Sequence, residues 1–319
     1  MKFCLLTKNL FILVLVCSNV YGYVIPSDYQ NIDCIVKEFT RKSKNTSRPH
    51  IPHDKSKGKG KNKAKKTPDT RSMPQSDKIS HPNIPGPRVA PKAKHGKKTQ
   101  QTSTNWSGYV AATNLNKPVK NTVTGVYGSW LVPDITPSVN NTYSAIWIGI
   151  DGYSSPTVEQ IGTGHDYVNG VKKHYAWFEM YPGPSYTLVG FPVNVGDVIS
   201  AIVEYSGNNI FTMTLINETQ RVTTTVPTRY TKSSKAQRNC AEWVFEAPYS
   251  NRVLPLTNVG TVYLSDCTAK INGSVQRPLS NIFWPNVSLE MVTNNGTPKA
   301  IPSDIGGDKS SFSIAWAHQ

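Results

Sequence analysis

The chain has 319 residues, with 35 Lys and Arg against 20 Asp and Glu, a formal net charge of +15. Such a balance ordinarily points to nucleic acid or an anionic surface as partner. Its distribution argues against both, because residues 23–100 hold 19 basic and 6 acidic side chains, whereas residues 101–319 hold 14 of each. The excess belongs to a leader, and the remainder of the chain is neutral.

Residues 1–22 read as a secretory signal peptide. Lys2 and Lys8 precede an apolar run from Leu10 to Val16, and cleavage is expected near Gly22. The run is too short to span a bilayer, so the expectation is a secreted, extracellular protein with no membrane association after signal removal. Residues 23–100 read as a basic pro-segment. From Lys42 onward they are dominated by Lys, Pro, Ser, Gly and Asn, and Lys55–Lys66, KSKGKGKNKAKK, offers no apolar face to bury. A largely disordered leader follows from that composition.

Residues 101–319 have a different texture. Short runs such as NWSGYVAAT, VTGVYGSWLVP, SAIWIGIDG, YAWFEMYP, NCAEWVFEAP and SFSIAWA are rich in Val, Ile, Tyr and Trp. Gly, Pro and Asn punctuate them, and no segment keeps a helical period over three turns. This predicts an all-β domain, a two-sheet antiparallel β-sandwich, acting as a monomer.

Four of these runs alternate in the same way. In AIWIGID, Ile146, Ile148 and Ile150 oppose Trp147, Gly149 and Asp151. In TVEQIG, Gln160 shares a face with Val158 and Gly162. In YAWFEMYP, Ala176, Phe178 and Met180 oppose Trp177, Glu179 and Tyr181. In NCAEWVFE, Ala241, Trp243 and Phe245 oppose Cys240, Glu242, Val244 and Glu246. Strands of this kind in one sheet would give one apolar side and one floor of aromatic, carboxylate and amide groups, suited to an extended polymer.

Familiar hydrolase signatures are missing. G-x-S-x-G, H-E-x-x-H, Asp-Thr-Gly and Asp-Ser-Gly do not occur. His165, His174 and His318 show no metal-ligand spacing, and His165 and His174 read as loop or surface residues. No metal or cofactor is expected, so any catalysis would fall to carboxylate and amide groups.

The motifs TNWSG, IWIGIDG, VEQIGTGHDY, YAWFEMYP, CAEWVFEAP, LPLTNVGTV and SFSIAW, in that order from Thr104 to Trp316, resemble the glutamic peptidases, the G1 or eqolisin family. The resemblance implies a sandwich of the concanavalin A-like lectin and glucanase type. It implies an acid-active endopeptidase, made as a zymogen, that cleaves polypeptides with a Gln and a Glu and is held by its own pro-segment. By motif position these are Gln160 and Glu242, and Trp106, Trp147, Asp151, Asp166, Trp177, Glu179 and Tyr181 correspond to the substrate cleft. The spacing from Gln160 to Asp166 is longer than the family's Gln-Thr-Gly-x-Asp pattern. A carbohydrate-active or glycan-binding sandwich is the alternative, since paired carboxylates among aromatics also suit a glycosidase.

Within 101–319 only Cys240 and Cys267 remain. If the strands flanking Ala247–Gly260 pair as a hairpin with Glu246 opposite Thr261, Cys240 falls opposite Cys267. A disulfide is the expectation.

Overall fold

The computed structural model describes residues 70–72, 100–229, 235–280 and 282–319. The expected signal peptide lies outside the described residues, as does the leader except for residues 70–72 and 100. In chain order the strands are β1 (Thr70–Ser72), β2 (Gln100–Ser103), β3 (Trp106–Ala112), β4 (Val123–Leu131), β5 (Ala145–Ile150), β6 (Val158–Val168), β7 (Val171–Tyr181), β8 (Ser185–Leu188) and β9 (Val198–Gly207). They continue with β10 (Ile210–Asn217), β11 (Val222–Arg229), β12 (Cys240–Glu246), β13 (Thr261–Ile271), β14 (Arg277–Pro278), β15 (Asn286–Val292), β16 (Pro298–Pro302) and β17 (Phe312–Trp316). No α-helix occurs among the described residues.

Pairing divides the strands into two layers. The first runs β15, β3, β12, β5, β6, β7, β8, all antiparallel neighbours. The β2 strand joins it parallel to β15, and β1 joins it antiparallel to β8. The second runs β11, β10, β9, β4, β13, β17, β16. Because β16 also pairs with β15, hydrogen bonding continues around one edge. The result is the expected antiparallel β-sandwich.

Alternation decides which side chains fill the gap between layers. From the first sheet come Ala241, Trp243 and Phe245 of β12, Ile146, Ile148 and Ile150 of β5, and Ala176, Phe178 and Met180 of β7. From the second come Val126 and Trp130 of β4, Ile199, Ala201 and Val203 of β9, and Phe211, Met213 and Leu215 of β10. Two indoles also tie the layers by hydrogen bonds. Trp243 Nε1 donates to the Tyr127 carbonyl at 2.7 Å, and Trp130 Nε1 donates to Thr163 Oγ1 at 2.9 Å. Both polar atoms are thus buried without an orphaned donor.

The expected disulfide is absent: Cys240 and Cys267 are both buried free thiols. The hairpin assumption fails because β12 pairs with β3 and β5, whereas β13 pairs with β4, β14 and β17. Residues 247–260 therefore carry the chain from one layer to the other. A bulge between Ser265 and Thr268, with Asp266 at φ 52°, turns Cys267 into the core between the layers. Cys240 instead faces the outer side of the first sheet.

The histidine reading also needs correction. His165 and His174 are cross-strand partners on β6 and β7, and His165 is fully buried. Their Nδ1 atoms are 2.9 Å apart, and His165 Nε2 lies 2.9 Å from Thr163 Oγ1. Burial holds both imidazoles below the ordinary histidine range, His165 well below it.

Candidate active site

The outer face of the first sheet is organised in transverse rows, because residues directly opposite in a ladder point to the same side. One row reads Val110 on β3, Glu242 on β12, Gly149 on β5, Gln160 on β6, Glu179 on β7 and Ser185 on β8. Gln160 and Glu242 therefore stand two strand spacings apart, about 9.6 Å at the backbone, with no side chain between them. The Gly149 position is tight. A Cβ there would lie 3.0 Å from the Trp147 ring, 3.1 Å from the Glu159 carbonyl oxygen and 3.2 Å from Gln160 Cβ. Parallel to this row runs another, Val244, Trp147, Gly162, Trp177 and Thr187.

Each member of the central pair is held at one end. Gln160 Nε2 donates to Glu179 Oε2 at 2.6 Å, while Gln160 Oε1 is buried without a hydrogen-bond partner. Glu242 Oε1 accepts the Tyr153 backbone N–H at 2.6 Å, and the Cys240 thiol lies 3.4 Å from the same oxygen. Glu242 Oε2 is buried and has no hydrogen-bond partner. An immobilised amide and an immobilised carboxyl thus share one row, each with an unsatisfied oxygen.

A family model described as the Peptidase A4 family matches residues 104–310. The chain belongs to the Peptidase A4 family. Crystal structures of glutamic peptidases share its fold. A scytalido-glutamic peptidase with a transition-state analogue inhibitor is 21% identical with a TM-score of 0.56. The match covers 68% of this chain and 100% of that one. SCP-B, a member of the eqolisin family in complex with the tripeptide Ala-Ile-His, is 19% identical with a TM-score of 0.52 and the same coverage. No curated protein matches the chain. This A4 peptidase is accordingly an endopeptidase of the glutamic, or G1, class, and its substrates are polypeptides.

Most of the residues singled out from the peptidase sequence meet on this face. Trp106 and Trp147 contact edge to face with ring centroids 5.1 Å apart. Trp147 Nε1 donates to Glu246 Oε2 at 2.8 Å, and Asn105 Nδ2 donates to Glu246 Oε1 at 3.2 Å. The Glu246 carboxylate therefore anchors an indole of the floor. Trp177 and Tyr181 join the same apolar cluster from β7. Asp166 shares this face but lies far along it from Gln160. It is six residues along β6 from Gln160, about 20 Å in an extended strand. It accepts from Tyr175 Oη at 3.0 Å and lies 3.4 Å from the Ser144 N–H.

Asp151 adjoins the face but spends its acceptors on the backbone. Its carboxylate takes the N–H groups of Arg238 and Asn239 at 2.7 and 2.8 Å, and Thr157 Oγ1 at 3.3 Å. These bonds tie the turn after β5 to the residues that lead into β12. Asp151 adopts φ 70° and Gly152 φ 117°, which aims the Tyr153 N–H at Glu242. Gly152 is required by space too, since a Cβ would come 2.7 Å from Trp106 and 2.9 Å from Glu242 Oε2.

Burial dominates the electrostatics. It pushes the Glu242 carboxyl well above the ordinary glutamate range, against the opposing hydrogen bonds from Tyr153 and Cys240, and Asp151 and Glu246 add repulsion. Burial likewise raises Asp151 in spite of its backbone donors. Among the described residues, no group of three or more His, Cys, Asp or Glu is placed to hold a metal ion.

Sequence reasoning missed Tyr153, whose contribution is a backbone N–H, and Asn105, whose partner is 141 residues away. The glycine inside IWIGID carried a legible signal, because an interior strand glycine marks a close approach or a gap.

Proposed function

We propose that this peptidase is a secreted, acid-active enzyme whose catalytic groups are Glu242 and Gln160. The placement of these two side chains in one row across Gly149, each held by a dedicated partner, carries the reading. A peptide carbonyl lying over Gly149 would meet both. Glu242 Oε2 takes a proton from a water whose oxygen bonds to the carbonyl carbon. The second N–H of Gln160, the one not given to Glu179, donates to the oxyanion. Glu242 then returns the proton to the amide nitrogen as the C–N bond breaks, releasing an amine and a carboxylic acid and restoring the carboxylate. A base of this kind contributes about 10²- to 10⁴-fold and an oxyanion donor about 10²- to 10³-fold. The upward shift of Glu242 moves the useful range from the ordinary glutamate value of 4.5 toward weaker acid.

The leader supports a zymogen. Residues 23–100 carry the basic excess, and Thr70–Ser72 form a strand on β8, next to the strand that bears Glu179. In this reading the lysines are drawn to the carboxylates of the face near neutrality and released as these protonate. The test is kinetic. Glu242→Gln should abolish turnover with the fold intact, and Gln160→Ala should lower kcat more than it raises KM. Acid incubation of the purified precursor should remove the leader in the wild type and leave it attached in Glu242→Gln. Full activity in Glu242→Gln would refute the assignment.

A further inference from the structure

Assigning proton transfer to Glu242 leaves its neighbour Cys240 without a role. Cys240 is buried two residues earlier on the same face of β12, with Sγ 3.4 Å from Glu242 Oε1. That oxygen also accepts the Tyr153 N–H at 2.6 Å. Oε2 has no hydrogen-bond partner and takes the room that a side chain at Gly152 would need. Burial pushes the Cys240 thiol well up, so it carries its proton. Toward an ionised carboxylate an S–H group can act only as donor.

We propose that Cys240 is a positioning residue: its S–H and the Tyr153 N–H together occupy Oε1 and reserve Oε2 as the oxygen that exchanges protons with water and the leaving amine. The proposal rests on Glu242 being the proton-transfer group. The surroundings make a weak donor matter. The ionisable groups that act on Glu242 are Cys240 and Glu246 from its own strand, Asp151 after β5 and Tyr153 in the following turn. None is a cation, and the flanking row members on β3 and β5 are Val110 and Gly149. Charge on Glu242 is therefore balanced by hydrogen-bond donors. Loss of one donor favours the protonated form and frees the carboxyl to turn.

The experiment compares kcat and KM across pH for the purified wild-type enzyme, Cys240→Ala, Cys240→Ser and Glu242→Gln on one peptide. Cys240→Ala should lose about tenfold in kcat, the worth of one hydrogen bond to a charged group, with little change in KM. The limb of its profile set by Glu242 should move to higher pH. Cys240→Ser keeps a donor and should restore both. A Cys240→Ala profile that superimposes on the wild type, with Glu242→Gln inactive, overturns the role of Cys240 alone. Activity in Glu242→Gln overturns the assignment of Glu242 and this proposal with it. Infrared difference spectra provide a readout that does not depend on a Cys240 variant folding. In a Cys267→Ala background the Cys240 S–H stretch should shift between acid and neutral pH and stay constant when Glu242 is replaced by Gln. A stretch independent of pH overturns the proposal.

Discussion

Gln160 and Glu242 flank Gly149 in one cross-strand row, and the absence of a side chain at that glycine means that none stands between them. Gly149→Ala would place a methyl group against the Trp147 ring and Gln160 Cβ. The expected outcome is a loss of roughly 1–3 kcal/mol in stability from overpacking. A drop of at least tenfold in kcat/KM should accompany it, because small displacements of reacting groups are costly. Thermal unfolding and peptide hydrolysis on the same preparation check both. Unchanged kinetics would show that the gap is not used.

Glu179 holds the Gln160 amide through one N–H. Removing that acceptor in Glu179→Ala releases the amide to rotate, and kcat should fall about tenfold with a smaller effect on KM. The fall should be less than that of Gln160→Ala, which deletes the donor itself. Equal or greater loss in Glu179→Ala would mean that Glu179 acts directly on the substrate.

Glu246 serves the fold more than the chemistry. Its two oxygens accept from Trp147 Nε1 and Asn105 Nδ2, all in buried surroundings. Glu246→Ala strands both donors and should cost about 2–4 kcal/mol of stability, seen as a lower midpoint in urea with an unchanged slope. At temperatures where the variant is folded, it should retain far more activity than Glu242→Gln.

Stability should fall on both sides of an intermediate pH. His165 and His174 are held below the ordinary histidine value of 6.5. The unfolded chain therefore binds more protons, and stability drops as pH falls through that value toward their lowered folded ones. Asp151 and Glu242 are raised from 3.8 and 4.5, so the folded chain binds the extra proton. Their contribution is complete in strong acid and is lost as pH rises above those values. Unfolding free energies across pH should show a shallower loss on acidification in His174→Gln. Glu242→Gln should show a shallower loss on the neutral side. A variant curve parallel to the wild type would exclude the group concerned.

The alternation of NCAEWVFE, AIWIGID and YAWFEMYP was enough to place Glu242, Trp147, Glu179 and Trp177 on the outer face and Trp243, Ile148 and Phe178 in the core. A strand's side-chain period is a local property of its backbone, and β5 and β12 are buried on both sides, so the pattern had to be consistent. Which strands lie side by side is a long-range matter. The sequence order of β12 and β13 suggested a hairpin and a Cys240–Cys267 bridge, yet each strand gains more by completing a different layer, and the segment between them crosses from one to the other. The same tertiary pairing brought Tyr153 to Glu242, turned Cys240 from a cross-link into a neighbour of the carboxyl, and buried His165 behind the face. Alternation is written residue by residue, whereas ladder partners are chosen by the burial and hydrogen bonding of the whole sandwich.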